Sequence, residues 1–270
     1  MDKSASGVAR YWQDMAWPAF TALPASTVAV LPVGAIEQHG PHLPVYVDSC
    51  INQELLDRAL ATAPADLDVV ALPLQAVGKS NEHLAFPGTL SLSNATLTAL
   101  LLDLGDSVAR AGVRRLILLN SHGGQPQVLD VVARELRIRH GMLAVNAAWY
   151  SMGMPPGLFA PDELHHGIHG GELETSLMLH LRPDLVDMTK AADFRSLSQD
   201  MEGDFTLLSP EGKFGFGWQT QDLNPAGAVG NAAGADAERG RILAEAAVAR
   251  FHELAREVAR FPLERFHPVP

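Results

Sequence analysis

The sequence predicts an α/β fold, specifically a three-layer α/β/α sandwich around a mostly parallel central sheet. Three observations predict it: four short apolar runs rich in β-branched residues, helical segments between them, and short connections. The runs are continuous rather than alternating, as expected of strands buried on both faces of a parallel sheet. Strand–helix alternation implies parallel crossovers, and right-handed crossovers place helices on both faces.

The strands are expected at Thr27–Ile36 (TVAVLPVGAI), Asp68–Leu74 (DVVALPL), Arg115–Asn120 (RLILLN) and Met142–Ala147 (MLAVNA). Helices are expected at Ser49–Ala63, Asn94–Ala111 and Gln125–His140, one after each of the first three strands. Gly171–Leu181 reads as a further helix, stopped by Arg182-Pro183 because the residue before a proline avoids the helical region. Near the C-terminus Leu243, Ala247, Phe251, Leu254 and Val258 recur at spacings of four and three, one apolar stripe of a long helix. Ala192 to Ala235 is Gly-rich and less regular. No repeat and no Pro-, Ser- or charge-rich linker interrupts the chain, so residues 1–270 are expected to form a single domain.

Composition excludes some functions. With 31 acidic and 20 basic residues the 270-residue chain carries a formal charge of −11, which argues against nucleic acid or an anionic membrane as partner. Cys50 is the sole cysteine, so neither an internal disulfide nor a thiolate zinc cage can form. The N-terminal stretch MDKSASGVARYWQDMAWPAF lacks the apolar run of a secretory signal, and nothing approaches the roughly 18–20 apolar residues of a membrane span. A cytoplasmic location is expected.

In open α/β sheets ligands bind beyond the carboxyl ends of the strands. Here each strand is followed by reactive residues. Glu37, His39, His42 and Asp48 follow the first, Lys79, Glu82 and His83 the second, and His122 the third; His165, His166, His169, Glu172 and Glu174 follow the fourth. Without thiolates, imidazole and carboxylate are the ligands that remain for a metal. Glu37 and His39 are two apart, so in an extended segment they leave on one side. Asp48 falls at the N-cap or first turn of a helix, where a carboxylate is favoured. His169 and Glu172, three apart at a helix start, can face one site. A carboxylate able to bridge makes this set suit two divalent ions, and mixed N/O ligation leaves zinc, manganese and iron open.

The runs LPVGAIEQHGPHLPVYVD, EHLAFPGTLSL, NSHGG and HGGELETSLML resemble those of the creatininase (creatinine amidohydrolase) family, from about Leu31 to Leu179. The resemblance implies a creatininase-like α/β/α fold and two divalent metal ions per chain, Zn with Zn, Mn or Fe. It also implies hydrolysis of a non-peptide C–N bond in a small amide such as a cyclic amide or formamide, and a homo-oligomer, often a hexamer. Carried over by position, Glu37 and His122 resemble ligands of one metal, His39 resembles a ligand of the other, and Asp48 the bridging carboxylate. Creatininase proper has a ligand glutamate two residues after the histidine matched by His122. Here that position is Gly124, and Glu172 is the candidate replacement. Glu174 is expected behind the ligands or as a helix N-terminal carboxylate. His169 resembles the family's proton-shuttling histidine, and Glu172 is grouped with it as catalytic. His83, Glu82, Gly123, His166 and Trp218 are the candidates for substrate contact. Creatinine itself is disfavoured, because Gly123 replaces a tyrosine and the residues before His169 do not reproduce that enzyme's Trp-Asp-x-Glu run.

Other signals are discounted. Gly78-Lys79-Ser80 looks like the end of a phosphate loop, but Pro73 stands where the pattern needs glycine. There is no G-x-S-x-G elbow and no H-E-x-x-H. Cys50 reads as a small buried hydrophobe, and Trp149, Phe216 and Trp218 more as packing than as pocket walls.

Overall fold

A computed structural model describes residues 11–267. The first ten residues, part of the N-terminal stretch discussed above, lie outside the described residues. The elements in chain order are α1 (Trp17–Phe20), β1 (Val28–Val33), α2 (Val47–Ala61), β2 (Val69–Ala71), α3 (Asn94–Arg110), β3 (Arg115–Asn120), α4 (Pro126–His140) and β4 (Leu143–Ala148). They continue with α5 (Pro161–His166), α6 (Glu172–Leu181), β5 (Asp193–Phe194), α7 (Leu197–Met201), α8 (Thr220–Leu223), β6 (Gly230–Asn231) and α9 (Ala237–Arg260).

The main sheet has the order β2-β1-β3-β4 and every pairing in it is parallel. Alternate residues of β1 divide the core. Val28 and Val30, with Ile117 and Leu119 of β3, pack against α2, α6 and α9. Ala29, Leu31 and Val33, with Leu116 and Leu118, pack against α3 and α4. Side chains of a strand point alternately to opposite faces. Both faces of β1 are therefore apolar because both are covered, which is the expected three-layer arrangement.

Strand bounds differ from the expectation where partners run out. β1 stops at Val33, three residues short of Ile36, because its last partner in β3 is Asn120. The run Asp68–Leu74 shrinks to Val69–Ala71, which pairs with Val28–Val30 and, at Ala71, bridges Tyr11; Pro73 has no N–H to extend it. Pro32 is tolerated in β1 because it lies beyond the end of β2, where its carbonyl accepts from Gln75 N at 2.9 Å. The fourth strand is displaced by one residue, to Leu143–Ala148. The Gly-rich region holds only short elements, β5 and β6 forming an antiparallel pair.

The helices have local causes. Ser93 Oγ caps α3 by accepting from Thr96 N at 3.1 Å, and Asp236 Oδ1 caps α9 by accepting from Arg239 N at 2.8 Å. Gly141 closes α4 in the left-handed conformation with φ 66°. On α9 Leu243, Ala247, Phe251 and Val258 are buried as the stripe requires, while Leu254 is partly buried. α6 and α9 pass closely at Gly240, where a Cβ would overlap the backbone carbonyl oxygen of Ser176. No helix among the described residues is long and apolar enough to cross a membrane.

Candidate metal centre

The carboxyl ends of β1 and β3 lie side by side, so the segments leaving them share one edge of the sheet. Past β1, Ile36 bridges Leu90 and Glu37 N donates to the Val45 carbonyl at 2.9 Å. Glu37 and His39 are both buried there. α2 begins at Val47 rather than Ser49, placing Asp48 in its first turn. His122 follows β3, its backbone N–H held by Asn120 Oδ1 at 3.0 Å.

These residues converge. Glu37 Oε1 lies 3.1 Å from His122 Nδ1, 3.4 Å from His83 Nε2 and 3.6 Å from His169 Nδ1. Asp48 stands between two imidazoles, Oδ1 being 3.8 Å from His39 Nε2 and Oδ2 3.8 Å from His122 Nδ1. Glu174 Oε1 approaches His39 Nε2 to 3.7 Å. The rings of His39 and His83 flank that of His169, with centroid separations of 4.1 and 4.3 Å.

The donor set fits divalent cations. Buried His39 Nε2 and Asp48 Oδ2 have no hydrogen-bond partner, and an orphaned buried polar atom costs free energy unless something meets it. Two groups of donor atoms, those of Glu37, Glu82 and His122 and those of His39, Asp48 and Glu174, each fall within 4.8 Å of one another. Electrostatics agree. Burial and the neighbouring Glu37 charge push Asp48 up to about 7. Burial would raise Glu37 too, but the surrounding histidines, His122 first, hold it well below the carboxylate range. Burial would depress His39, yet the Asp48 and Glu174 carboxylates hold it well above the usual imidazole value. Burial, then the positive charge of His39, pulls His169 down to about 4.

Glu172 is not brought to this cluster, which corrects its expected place as a ligand. Gly171 is the N-cap of α6 and Glu172 its first residue. The Glu172 carboxylate forms an ion pair with Arg239 of α9, 67 residues on. His169 lies before the helix, in an extended bridge with Val229, so helical three-residue spacing does not join it to Glu172. Gly170, with φ 60°, turns the chain instead, and Glu174 Oε2 accepts from Gly170 N at 2.6 Å while its other oxygen faces His39.

The expected substrate residues also separate. His83 sits inside the cluster, with Nδ1 paired to Gln38 Nε2 and Thr220 Oγ1, each at 2.8 Å. Glu82 Oε1 lies 3.1 Å from His122 Nε2, and Oε2 accepts from Lys79 Nζ at 2.7 Å. A Cβ on Gly124 would overlap Glu82 Oε1, so the glutamate fills the space that a side chain at 124 would need. Gly123 is exposed and borders open space. His166 is buried at the end of α5 with Ser198, Asp162 and Glu202 as partners, none of which belongs to the cluster. Trp218 is half-buried two residues before Thr220 and makes no hydrogen bond or ring contact with the cluster among the described residues. Trp149 is a packing residue, its Nε1 donating to Asn52 Oδ1 at 3.1 Å and its ring lying against Phe251.

Three supports escaped the sequence reading. Gln38 Nε2 also donates to Gly227 O at 2.7 Å, Ser80 Oγ donates to Glu37 Oε2, and Lys79 anchors Glu82. The tripeptide dismissed as a broken phosphate loop thus supplies two of the groups that hold the acidic residues.

Comparison with known proteins places these features in context. The sequence profile of Creatininase, described as creatinine amidohydrolase, matches residues 13–255. A mycofactocin precursor peptide peptidase from Mycolicibacterium smegmatis is 35% identical over 159 residues, covering 58% of this chain and 59% of that protein. The chain thus spans about three fifths of the length of that relative. A creatinine amidohydrolase from Pseudomonas putida is 36% identical over 197 residues, covering 67% of this chain and 75% of that protein. A 3-dehydro-scyllo-inosose hydrolase from Thermotoga maritima is 26% identical over 257 residues, 89% of this chain and 80% of its own. Among solved structures, a tryptophan-to-alanine mutant of creatininase superposes with a TM-score of 0.74 at 28% identity, covering 94% of this chain and all (100%) of that one. A manganese form of creatininase gives 0.70 at 27% identity, and a Zn–Zn type mutant 0.69 at 28%, each covering 93% of this chain and 98% of its own.

Proposed function

The chain belongs to the creatininase (creatinine amidohydrolase) family, and on that premise we propose that it hydrolyses a non-peptide C–N bond, in a cyclic amide or formamide of a small polar substrate, at a site for two divalent ions. The observation that carries the reading is Asp48, buried and facing His39 with one oxygen and His122 with the other. In the proposed site Glu37 and His122 would hold one ion, His39 and Glu174 would hold the other, and Asp48, between His39 and His122, would be within reach of both. Zinc in both positions, or zinc with manganese or iron, suits these nitrogen and oxygen donors. When bound, such ions lower the pKa of a water toward neutrality and polarise a carbonyl oxygen.

The remaining roles belong to the protein's own atoms. His169 Nε2 donates to the Gln38 carbonyl at 2.6 Å, which leaves the Nδ1 lone pair facing Glu37 and the cluster. His169 accordingly accepts a proton at Nδ1 and returns it to the leaving nitrogen. Its low basicity suits transient rather than resting protonation. His122 Nε2 donates to the Lys79 carbonyl at 2.9 Å with Glu82 Oε1 3.1 Å away, and these two acceptors behind the ring leave Nδ1 to look into the site. His83 closes the side opposite His39 and keeps the His169 ring in place.

The test joins metal content to a substrate panel. Wild-type protein is expected to carry about two divalent ions per chain and to release ammonia, formate or a ring-opened acid from cyclic amides and formamides. Asp48→Asn should lose both. Unchanged metal content and turnover in Asp48→Asn would overturn the assignment. Peptides belong in the same panel, given the peptide-cleaving relative, and lactones report the alternative of a hydrolase acting on another bond. A non-catalytic protein would bind metal and turn over nothing.

A further inference from the structure

α5 ends in two adjacent histidines that share no residue or partner with the site above. The rings of His165 and His166 meet edge to face with centroids 4.5 Å apart. His165 is exposed and His166 is buried. Both Nε2 atoms point at one oxygen, Oε1 of Glu202 just past α7, at 3.5 Å from His165 and 3.1 Å from His166. Asp162 lies one turn earlier on α5, with Oδ1 3.8 Å from His166 Nε2. Its other oxygen is engaged by Gln199 Nε2 at 3.2 Å.

Two features distinguish this group from chance surface pairing. First, donors held about 2.0–2.1 Å from a tetrahedral ion are themselves roughly 3.3–3.4 Å apart. The two nitrogen–oxygen separations bracket that value. Second, His166 Nδ1 is paired with Ser198 Oγ at 2.8 Å, and Ser198 with Ser196 Oγ at 2.6 Å. A ligand imidazole is commonly oriented by a hydrogen bond at its other nitrogen. Here that bond comes from Ser198 in the first turn of α7, itself paired with the helix-capping Ser196, so the element that brings Glu202 also aims His166.

We propose that His165, His166 and Glu202, with Asp162 in reach of a fourth position, form a second metal site that takes a borderline divalent ion such as zinc. Two imidazoles with carboxylates prefer such ions to magnesium or calcium. The bound ion would join α5 to α7, adding to the His166–Ser198 and Asp162–Gln199 hydrogen bonds that already link these two short helices.

Zinc itself is the probe. Full-length protein as isolated is dialysed to equilibrium against micromolar free zinc, and bound zinc is counted per chain. Wild type is expected to hold one zinc more than Glu202→Gln and one more than His165→Ala. Both substitutions fall on exposed side chains, so melting curves without added zinc should match wild type. Asp48→Asn should lose the ions of the proposed catalytic site yet keep this one, which separates the two assignments. Equal zinc in wild type, Glu202→Gln and His165→Ala would overturn the proposal.

Discussion

Replacing Gly124 with alanine adds one methyl group in a place where Glu82 already stands. Gly124 is not among the glycines with positive φ, so the alanine backbone is unstrained and the effect lies in the side chain. The new Cβ would overlap Glu82 Oε1 and stand 2.5 Å from His122 Nε2. The carboxylate, at the end of a rotatable chain, must give way and leave His122. A hydrogen bond involving a charged group contributes about 1.5–3 kcal/mol. At 1.4 kcal/mol per factor of ten, that corresponds to roughly tenfold to a hundredfold weaker metal binding. The same range is typical when the partner behind a ligand histidine is lost. The assay is competition for zinc against a chromophoric chelator, run on wild type, Gly124→Ala, Glu82→Ala and the double variant. Because the new Cβ evicts Glu82 and also crowds His122 itself, the double variant should bind more weakly than Glu82→Ala alone, yet by less than the sum of the two single losses. Losses that add, or a Gly124→Ala that binds as wild type, would refute the reasoning.

Three further expectations concern neighbouring groups. Glu174→Gln should weaken metal binding tenfold or more and leave the fold intact, whereas Glu172→Gln should leave metal binding alone and lower stability by about 0.5–1.5 kcal/mol, since Arg239 loses one charged partner but keeps Asp236 and the Gly234 carbonyl; chelator competition and urea melts would show a reversed pattern if Glu172 were the ligand. His42 is buried, with Nε2 against Thr175 Oγ1 at 2.9 Å, and burial followed by the charge on His39 pulls it down to about 4. Its ordinary value is near 6.5, so the unfolded chain takes up the proton first; the stability it contributes is complete above about 6.5 and is lost as pH falls toward 4. His42→Gln should therefore flatten the decline of unfolding free energy across that window by up to about 1.4 kcal/mol per pH unit, and identical slopes in urea titrations would exclude this role.

Much of the site was legible because it obeys local rules. Glu37 and His39 share a side in an extended segment, Asp48 belongs to a helix first turn, and His122 follows a strand, so each could be placed from neighbours alone. Glu172 and Glu174 could not. Which of two glutamates faces inward depends on where the helix starts and on the turn at Gly170, and Arg239, which claims Glu172, is remote in sequence. His166 follows the same logic, since the short α5 stops at Gly167 and aims it toward α7. Lys79 and Glu82 were visible as residues, but their work depends on the vacancy at Gly124, a property of packing rather than spacing. Strand bounds were lost where partners end, which no single strand encodes.

The close passage of α9 over α6 at Gly240 bears on how this protein can be recombined with its relatives. Glu174 rides on the helix that Gly240 lets approach, so the C-terminal helix gauges the depth of a residue some sixty positions upstream. A chimera with a breakpoint between the two would pair one parent's α6 with the other's α9. If the incoming helix carried even a methyl at that crossing, it would lift Glu174 away from His39 without altering a single proposed ligand.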